Sequence, residues 1–458
     1  MNKHIGFLLA FFIHSISTIV YAQDHTSWSK KAVIYEVNVR QFSEKGDFNS
    51  VTQSLPRLKN LGIDVLWLMP VHPIGEVNRK GGLGSYYSVK DYRGIDQSYG
   101  TPEDFRNLVN EAHSLGMKVI IDWVANHTAW DHEWIQQHPD WYVRNDKGEI
   151  QTQYDWSDVA KLNFESQPMR DAMTQDMAYW VKEFDIDGFR CDVAFLIPLE
   201  FWEHNRNRLE EFKPMFMLAE MEWNADITKT PDTYFNRAFD ASYGWTFMGV
   251  TQDMAKKKKS LVDFRKEMKD NYAKFPSTML KLFFITNHDE NSWNGTVNEK
   301  YGNDWKLYSA LCYTMPQSFP LIYSGEEAGL NRRLTFFEKD PIMPNEWKDT
   351  SRYGWYRSMT QLKHENKALW NTPETSFKEL EWTVKDTSIT NNVYAFTRSN
   401  GKAEVTVIIN FADKQHKIKP VNWIPPAGGK NIFTQKASLD SKNFITIPPH
   451  SVWINYKN

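Results

Sequence analysis

The chain has 458 residues and 41% hydrophobic content, enough to bury a large core and more than one ordinary domain holds. Its formal net charge of −3 gives no general reason to expect nucleic acid or an anionic membrane as partner. The one local exception, Lys256-Lys257-Lys258-Lys259, reads as a solvated helix face rather than a polyanion site.

Residues 1–22 read as a signal peptide. Lys3 and His4 precede an apolar stretch from Ile5 to Val20, and Val20-Tyr21-Ala22 supplies a small-residue cleavage site that would leave Gln23 first. The rival is an uncleaved anchor, but His14, Ser15, Ser17 and Thr18 interrupt the span. The expectation is an exported protein, periplasmic or extracellular, with no stable membrane insertion after cleavage. Cys191 and Cys312 lie far apart within apolar segments, and two buried thiols are expected rather than a bridge.

Strand and helix patterns then alternate, which predicts a mostly parallel sheet with helices outside it. Predicted strands are 33–39, 63–69, 118–122, 186–192, 215–220, 238–240, 282–287 and 321–324. Val51, Leu55, Leu58 and Leu61 have helical spacing. A helix is expected from Thr101 to Leu115, with Thr101 as N-cap, Pro102 at the first position, Asp104 closing a capping box and Gly116 ending it. Eight strands at this spacing predict an α/β (β/α)₈ TIM barrel over residues 23–371. The Trp-, Asp- and His-rich stretch 128–162 reads as a small inserted subdomain after the third strand. After residue 372 the pattern changes to short alternating runs, predicting a C-terminal all-β sandwich over 372–458.

Three apolar runs end on a carboxylate: Gly188-Phe189-Arg190-Cys191-Asp192, Met215 to Glu220, and Phe284 to Asp289. A buried strand whose last residue is charged delivers that residue to a site at the barrel mouth. Period-two geometry sends Arg190 and Asp192 into the lumen, and Phe189 and Cys191 against the helices. A guanidinium there lowers the Asp192 pKa and keeps it ionised. The residues alone leave a purely structural Arg–Asp pair open.

The chain resembles the α-amylase family of glycoside hydrolases. Asp122-Trp-Val-Ala-Asn126-His127, Gly188-Phe-Arg190-Cys-Asp192, Glu220 after its apolar strand, and Asn287-His288-Asp289 match the family's motifs in order. Val159 to Asn163 and Tyr86-Tyr87 to Tyr92 are weaker matches. The resemblance implies Asp192 as nucleophile, Glu220 as acid/base and Asp289 as transition-state stabiliser. It implies that Arg190 holds Asp192 ionised, that His127 and His288 donate hydrogen bonds to the sugar, that Tyr87 stacks on its ring, and that Asp122 supports the site. Retaining cleavage of α-1,4-glucosidic bonds in starch or malto-oligosaccharides follows, with Asp192 and Glu220 about 5–5.5 Å apart and the Glu220 pKa raised.

Many members of the family hold calcium beside the inserted subdomain. Asn126 matches one ligand, but Phe195 and Leu196 stand where the family has a Lys and a ligating His, so no metal or other cofactor is expected. Gly81-Gly82-Leu83-Gly84 follows no strand and opens no helix, and reads as a flexible sugar-site loop rather than a phosphate loop. A transglycosylase, an α-1,6-glucosidase or a cyclodextrin-degrading enzyme shares the same residues and stays open. A catalytically silent glucan-binding subunit is disfavoured by the complete carboxylate set. Oligomeric state is not legible.

Overall fold

The computed structural model describes residues 26–222, 237–383, 386–421, 423–425, 428–435 and 437–458. The signal-peptide assignment lies outside the described residues. In chain order the first ten strands are β1 (Ile34–Val37), β2 (Val65–Leu68), β3 (Lys118–Trp123), β4 (His127–Ala129), β5 (Val159–Lys161), β6 (Gly188–Cys191), β7 (Phe216–Ala219), β8 (Ala241–Tyr243), β9 (Leu280–Phe283) and β10 (Ser318–Tyr323). Eight of them close a parallel barrel in the order β1-β10-β9-β8-β7-β6-β3-β2, while β4 and β5 form a separate antiparallel pair.

Strands buried on both faces sort their side chains into two cores. Ile34, Val65, Trp67, Ile120, Phe216, Leu218, Tyr243, Leu282 and Phe319 fill the lumen. Phe189 and Cys191 join the outer core with Leu66, Leu68, Val119 and Ile121, as the alternation requires. Gly188 has a backbone reason to be glycine: a Cβ there would stand 1.9 Å from the Phe216 carbonyl oxygen. Both cysteines are buried free thiols.

The helices follow local rules. Val51, Leu55, Leu58 and Leu61 are buried on the helix Phe48–Leu61, which Asp47 caps and Gly62 ends at φ +99°. Pro102–Ser114 begins with the full Thr101–Asp104 capping box.

Three predicted strands are displaced, each for a physical reason. The expected strand 238–240 lies one step early: Ala238 and Phe239 belong to the outer core, and Asp240 accepts from Met217 N at 2.8 Å and Arg206 at 3.1 Å. The strand itself, Ala241–Tyr243, is too short and polar to register as apolar. The expected 282–287 is 280–283, where buried Lys281, paired with Glu222 at 3.2 Å, breaks the apolar run. The last strand begins at Ser318 rather than 321, because Pro320 within it mimics a strand breaker. The four lysines 256–259 do not lie on a helix face; they follow the helix Trp245–Ala255 as an exposed turn, with Lys259 paired to Glu267 and Asp253.

The excursion between β3 and β6 is closed by the β4–β5 pair, His127 opposite Lys161. Trp134 packs edge-on against Trp141 at 4.9 Å and against Tyr92 at 5.3 Å, which ties the excursion to the loop after β2. The remaining strands are β11 (Ser376–Glu379), β12 (Val393–Asn400), β13 (Ala403–Asn410), β14 (His416–Ile418), β15 (Lys430–Phe433), β16 (Ser438–Leu439), β17 (Ile445–Ile447) and β18 (Ser451–Lys457). They make a five-stranded sheet β11-β12-β13-β18-β15 and a three-stranded sheet β14-β17-β16. Ile408, Ile418, Ile445 and Ile447 pack between the two. Buried Arg398 on β12 donates to the Met315 carbonyl at 2.9 Å and the Trp370 carbonyl at 3.2 Å, joining sandwich to barrel.

Candidate active site

Asp122 sits near the C-terminal end of β3, and Asp192 and Glu220 directly follow β6 and β7. Arg190 gathers all three. Its Nη1 stands 2.8 Å from both Asp122 Oδ1 and Asp192 Oδ1, and its Nη2 3.1 Å from Glu220 Oε2. The guanidinium is buried over the rings of Trp67, Tyr87 and Tyr243, and its Nε donates to the Tyr243 hydroxyl at 3.2 Å. Asp289 does not end a strand as predicted. It lies past β9 and immediately before the π-helical turn Glu290–Asn294. Its side chain is 40% exposed, against 10% and 12% for Asp192 and Glu220.

Electrostatics distinguish the carboxyl groups. Burial pushes Asp192 up to about 6, against the pull of Arg190. Arg190 does pull the Asp192 pKa down, but desolvation outweighs the guanidinium. A group at about 6 is still mostly ionised at neutral pH. Burial, with Asp192 and Asp289 nearby, raises Glu220 to about 7 despite Arg190. Asp122, wholly buried, is also raised to about 6 by desolvation. Enclosure would raise Asp289, but His288 and Arg190 outweigh it and hold the carboxyl below its usual range.

His288 is pulled two ways. Burial disfavours its charge, but Asp289 and Glu36 raise its pKa well above the ordinary value. Its Nε2 lies 3.3 Å from Asp289 Oδ2 and 2.8 Å from the Tyr87 hydroxyl. An imidazolium has two N–H donors, so the Tyr87 oxygen accepts from His288 and donates onward to Asp122 Oδ2 at 3.1 Å. Tyr87 also stacks on His288 and on Phe336. His127 is lowered to about 4 by burial and is neutral; Trp156 packs edge-on against it at 5.5 Å.

Five of the eight predicted site residues, Tyr87, His127, Asp192, Glu220 and Asp289, line one cleft of about 460 Å³, with Arg190 against Asp192 and Glu220. Asp122 and His288 lie behind Tyr87, bonded to its hydroxyl. Glu36 was missed. It is a fully buried carboxylate on β1 bonded to His288 Nδ1, and a lone charge inside the run Val33–Val37 was a readable signal. Lys80, Trp156, Asp158, Trp293, Phe336 and Phe337 also line the cleft. Trp156 belongs to the Trp-rich stretch 128–162 that the sequence marks for sugar contacts, with core packing as the default for each ring; Trp293 sits in the turn Glu290–Asn294, and the others lie in loops without periodicity.

The side chains at the family's calcium position do not fit a hard cation. The Asn126 amide donates to His127 Nδ1 at 3.0 Å. Phe195 and Leu196 occupy a 3₁₀ turn, Ala194–Leu196, and bring no side-chain oxygen. Among the described residues no group of three or more His, Cys, Asp or Glu is placed to hold a metal.

Replacing Glu36 with Gln removes one of the two anions that keep His288 charged. NMR of the imidazole should then find His288 titrating at lower pH than in the parent, and an unchanged titration would remove Glu36 from this role.

The family model described as alpha amylase, catalytic domain, matches residues 21–153 and 136–398. The alpha-amylase MalA of Haloarcula japonica is 27% identical over 410 residues, covering 85% of this chain and 57% of that relative. The crystal structure of an alpha-amylase from Lactobacillus plantarum superposes with a TM-score of 0.80 at 28% identity, covering 94% of this chain and all (100%) of the other. The maltogenic alpha-amylase AmyB of Thermotoga neapolitana gives 0.76 at 27% identity, with 93% and 96% covered. The chain belongs to the alpha-amylase family and is a glycoside hydrolase.

Proposed function

We propose that this hydrolase cleaves α-1,4-glucosidic bonds in starch or malto-oligosaccharides by a retaining double displacement. The observation that carries the reading is the single guanidinium of Arg190 held between Asp192 and Glu220. Two carboxyls on neighbouring prongs of one cation are close, which supports the short separation of a retaining pair, about 5–5.5 Å, over the 6.5–9.5 Å of an inverting one.

The roles follow from protonation. Asp192, mostly ionised at neutral pH, attacks the anomeric carbon. Glu220, whose proton is retained up to about pH 7, delivers it to the leaving oxygen and then takes one from water. Asp289, held ionised, grips sugar hydroxyls as positive charge develops on the ring. Tyr87 offers a flat apolar face to that ring. His127 completes the polar wall, and His288 holds Tyr87 and Asp289 from behind. A relative that is maltogenic supports an α-glucan as substrate class.

Glu220→Gln and Asp192→Asn should each lower turnover of maltoheptaose by about 10³-fold or more, with the circular dichroism spectrum unchanged. Near-parental turnover in either variant would end this assignment. In the parent, kcat/KM should climb as pH rises through about 6, where Asp192 loses its proton, and fall through about 7, where Glu220 loses its own. Because the groups interact, both limbs belong to the pair. The anomer of the first product, followed by NMR, should be α.

We also propose that no calcium occupies the family's usual position. Excess chelator should leave the melting temperature unchanged, and a chelator-dependent drop reversed by calcium would refute this. Export rests on the basic, apolar and small-residue pattern of residues 1–22. N-terminal sequencing of protein made in a secreting host should read from Gln23, whereas an intact Met1 would remove the export reading.

A further inference from the structure

The loop after β2 touches both walls of the cleft. On one side Leu83 N donates to the Phe337 carbonyl at 3.0 Å, and Gly82 N donates to Glu338 Oε1 at 2.5 Å. On the other, Lys80 Nζ lies 3.1 Å from Asp158 Oδ1 and 3.4 Å from the Asp155 carbonyl. Glycine makes the first contact possible: at Gly81, φ +65°, a Cβ would stand 2.5 Å from Phe337 Cβ, and at Gly82 2.5 Å from Glu338 Oε2. Gly81 and Gly82 are thus used for close approach between loops.

The junction is braced from behind. Buried Arg40 donates to the Gly84 carbonyl at 3.2 Å and the Phe336 carbonyl at 3.4 Å, with its guanidinium 4.0 Å from the centre of the Tyr86 ring. Gln41 donates to the Thr335 carbonyl at 2.9 Å and the Glu338 carbonyl at 2.8 Å. Lys80, Asp155, Asp158, Phe336 and Phe337 line the same cleft as the carboxylates. The junction adjoins Tyr87, which stacks on Phe336, whereas Glu220 hangs from Val193 N at 2.8 Å.

We infer that residues 80–84, pinned between 336–338 and 155–158, close the cleft beyond the cleaved sugar, so that the enzyme admits α-glucan chains by their non-reducing end and releases short saccharides from it instead of cutting internally. The inference rests on the proposed reading, in which Tyr87 and Asp289 hold the glycone and Glu220 protonates the leaving side. A polymer threading through would have to displace one main-chain hydrogen bond, one hydrogen bond from main chain to side chain, and an ion pair at once. A chain end needs to displace none of them.

The test compares 4-nitrophenyl maltoheptaoside with the same compound carrying an ethylidene group on its non-reducing glucose, products being separated by chromatography. β-Cyclodextrin, which has no end, is the third substrate. The free-ended chain should be cut at least about a hundredfold faster than either of the others, a steric exclusion rather than a difference in contacts. Cleavage of all three within about threefold would overturn the cap and leave the glycosidase assignment standing. Cleavage of none would overturn the assignment itself, and the cap with it. The double variant Lys80→Ala, Glu338→Ala removes the side-chain partner of a strut on each side. Its blocked-to-free rate ratio should rise about tenfold or more over the parent's, and an unchanged ratio would count against the cap.

Discussion

A guanidinium sealed under a barrel mouth must be neutralised where it sits, because water cannot reach it to share the charge. Arg190 meets that demand with three carboxyls, Asp122, Asp192 and Glu220, which is more anion than one cation can balance. His288 supplies a second positive charge, held between Glu36 and Asp289. Two cations therefore face five carboxyl groups in a space of low dielectric. Such a cluster reduces its own energy by retaining a proton, and the group that retains it is set by surroundings. Asp289 lies next to the imidazolium, which with Arg190 outweighs its enclosure, so it stays ionised. Glu220 is desolvated with two anions nearby, and the far prong of Arg190 and the Val193 N–H do not offset this, so it holds a proton to about pH 7. The protonation pattern of the proposed acid and nucleophile is thus a consequence of charge crowding around one arginine.

The apolar framework enforces this crowding. The lumen below Arg190 is filled by Trp67, Tyr243, Leu218 and Phe216, so the arginine cannot sink away from the carboxylates. Trp67 Nε1 donates to Asp122 Oδ2 at 3.2 Å, fixing the deepest acid from below. Asp122 in turn accepts from Tyr87, which ties this cleft-lining ring to the barrel floor. A substitution at Trp67 would therefore be felt at the mouth through two hydrogen bonds.

How much of this could be read beforehand depended on whether a residue's role left a periodic trace. Arg190 and Asp192 did, since alternation on a strand fixes the side each one faces, and the outer placement of Phe189 and Cys191 agrees. Thr101 and Asp104 did, since a capping box is a local spacing. Asp289 was found, but its strand was misplaced: the apolar residues before it, such as Phe284, line the lumen without pairing, and hydrophobicity alone cannot separate pairing from filling. Pro320 hid the start of the last strand by the reverse error. Glu36 carried a trace that went unused. The cleft-lining loops, Lys80, Asp158 and Phe336 among them, left none, because their positions are set by contacts with other loops far along the chain. The net direction of the Asp192 shift was also beyond reach, since it turns on how completely the group is desolvated.

One backbone feature links the two proposed reacting groups. Val193, next to Asp192, has φ +36° and ψ 45°, a left-handed conformation that a β-branched residue adopts only under constraint, at a cost of about 1–3 kcal/mol. The constraint is visible: its N–H donates to Glu220 Oε2 at 2.8 Å, while Asp192 N donates to the Trp123 carbonyl at 3.0 Å and Glu220 N to the Cys191 carbonyl at 3.0 Å. An extended Val193 would carry the chain onward along β6 and turn that amide away from Glu220. The reversed turn instead places the donor one residue beyond the nucleophile against the acid, so the two carboxyls are spaced by covalent geometry on one side and by Arg190 on the other. Relieving the strain with glycine would make the turn easier to form but also easier to leave, and would loosen the spacing of the pair on the Val193 side.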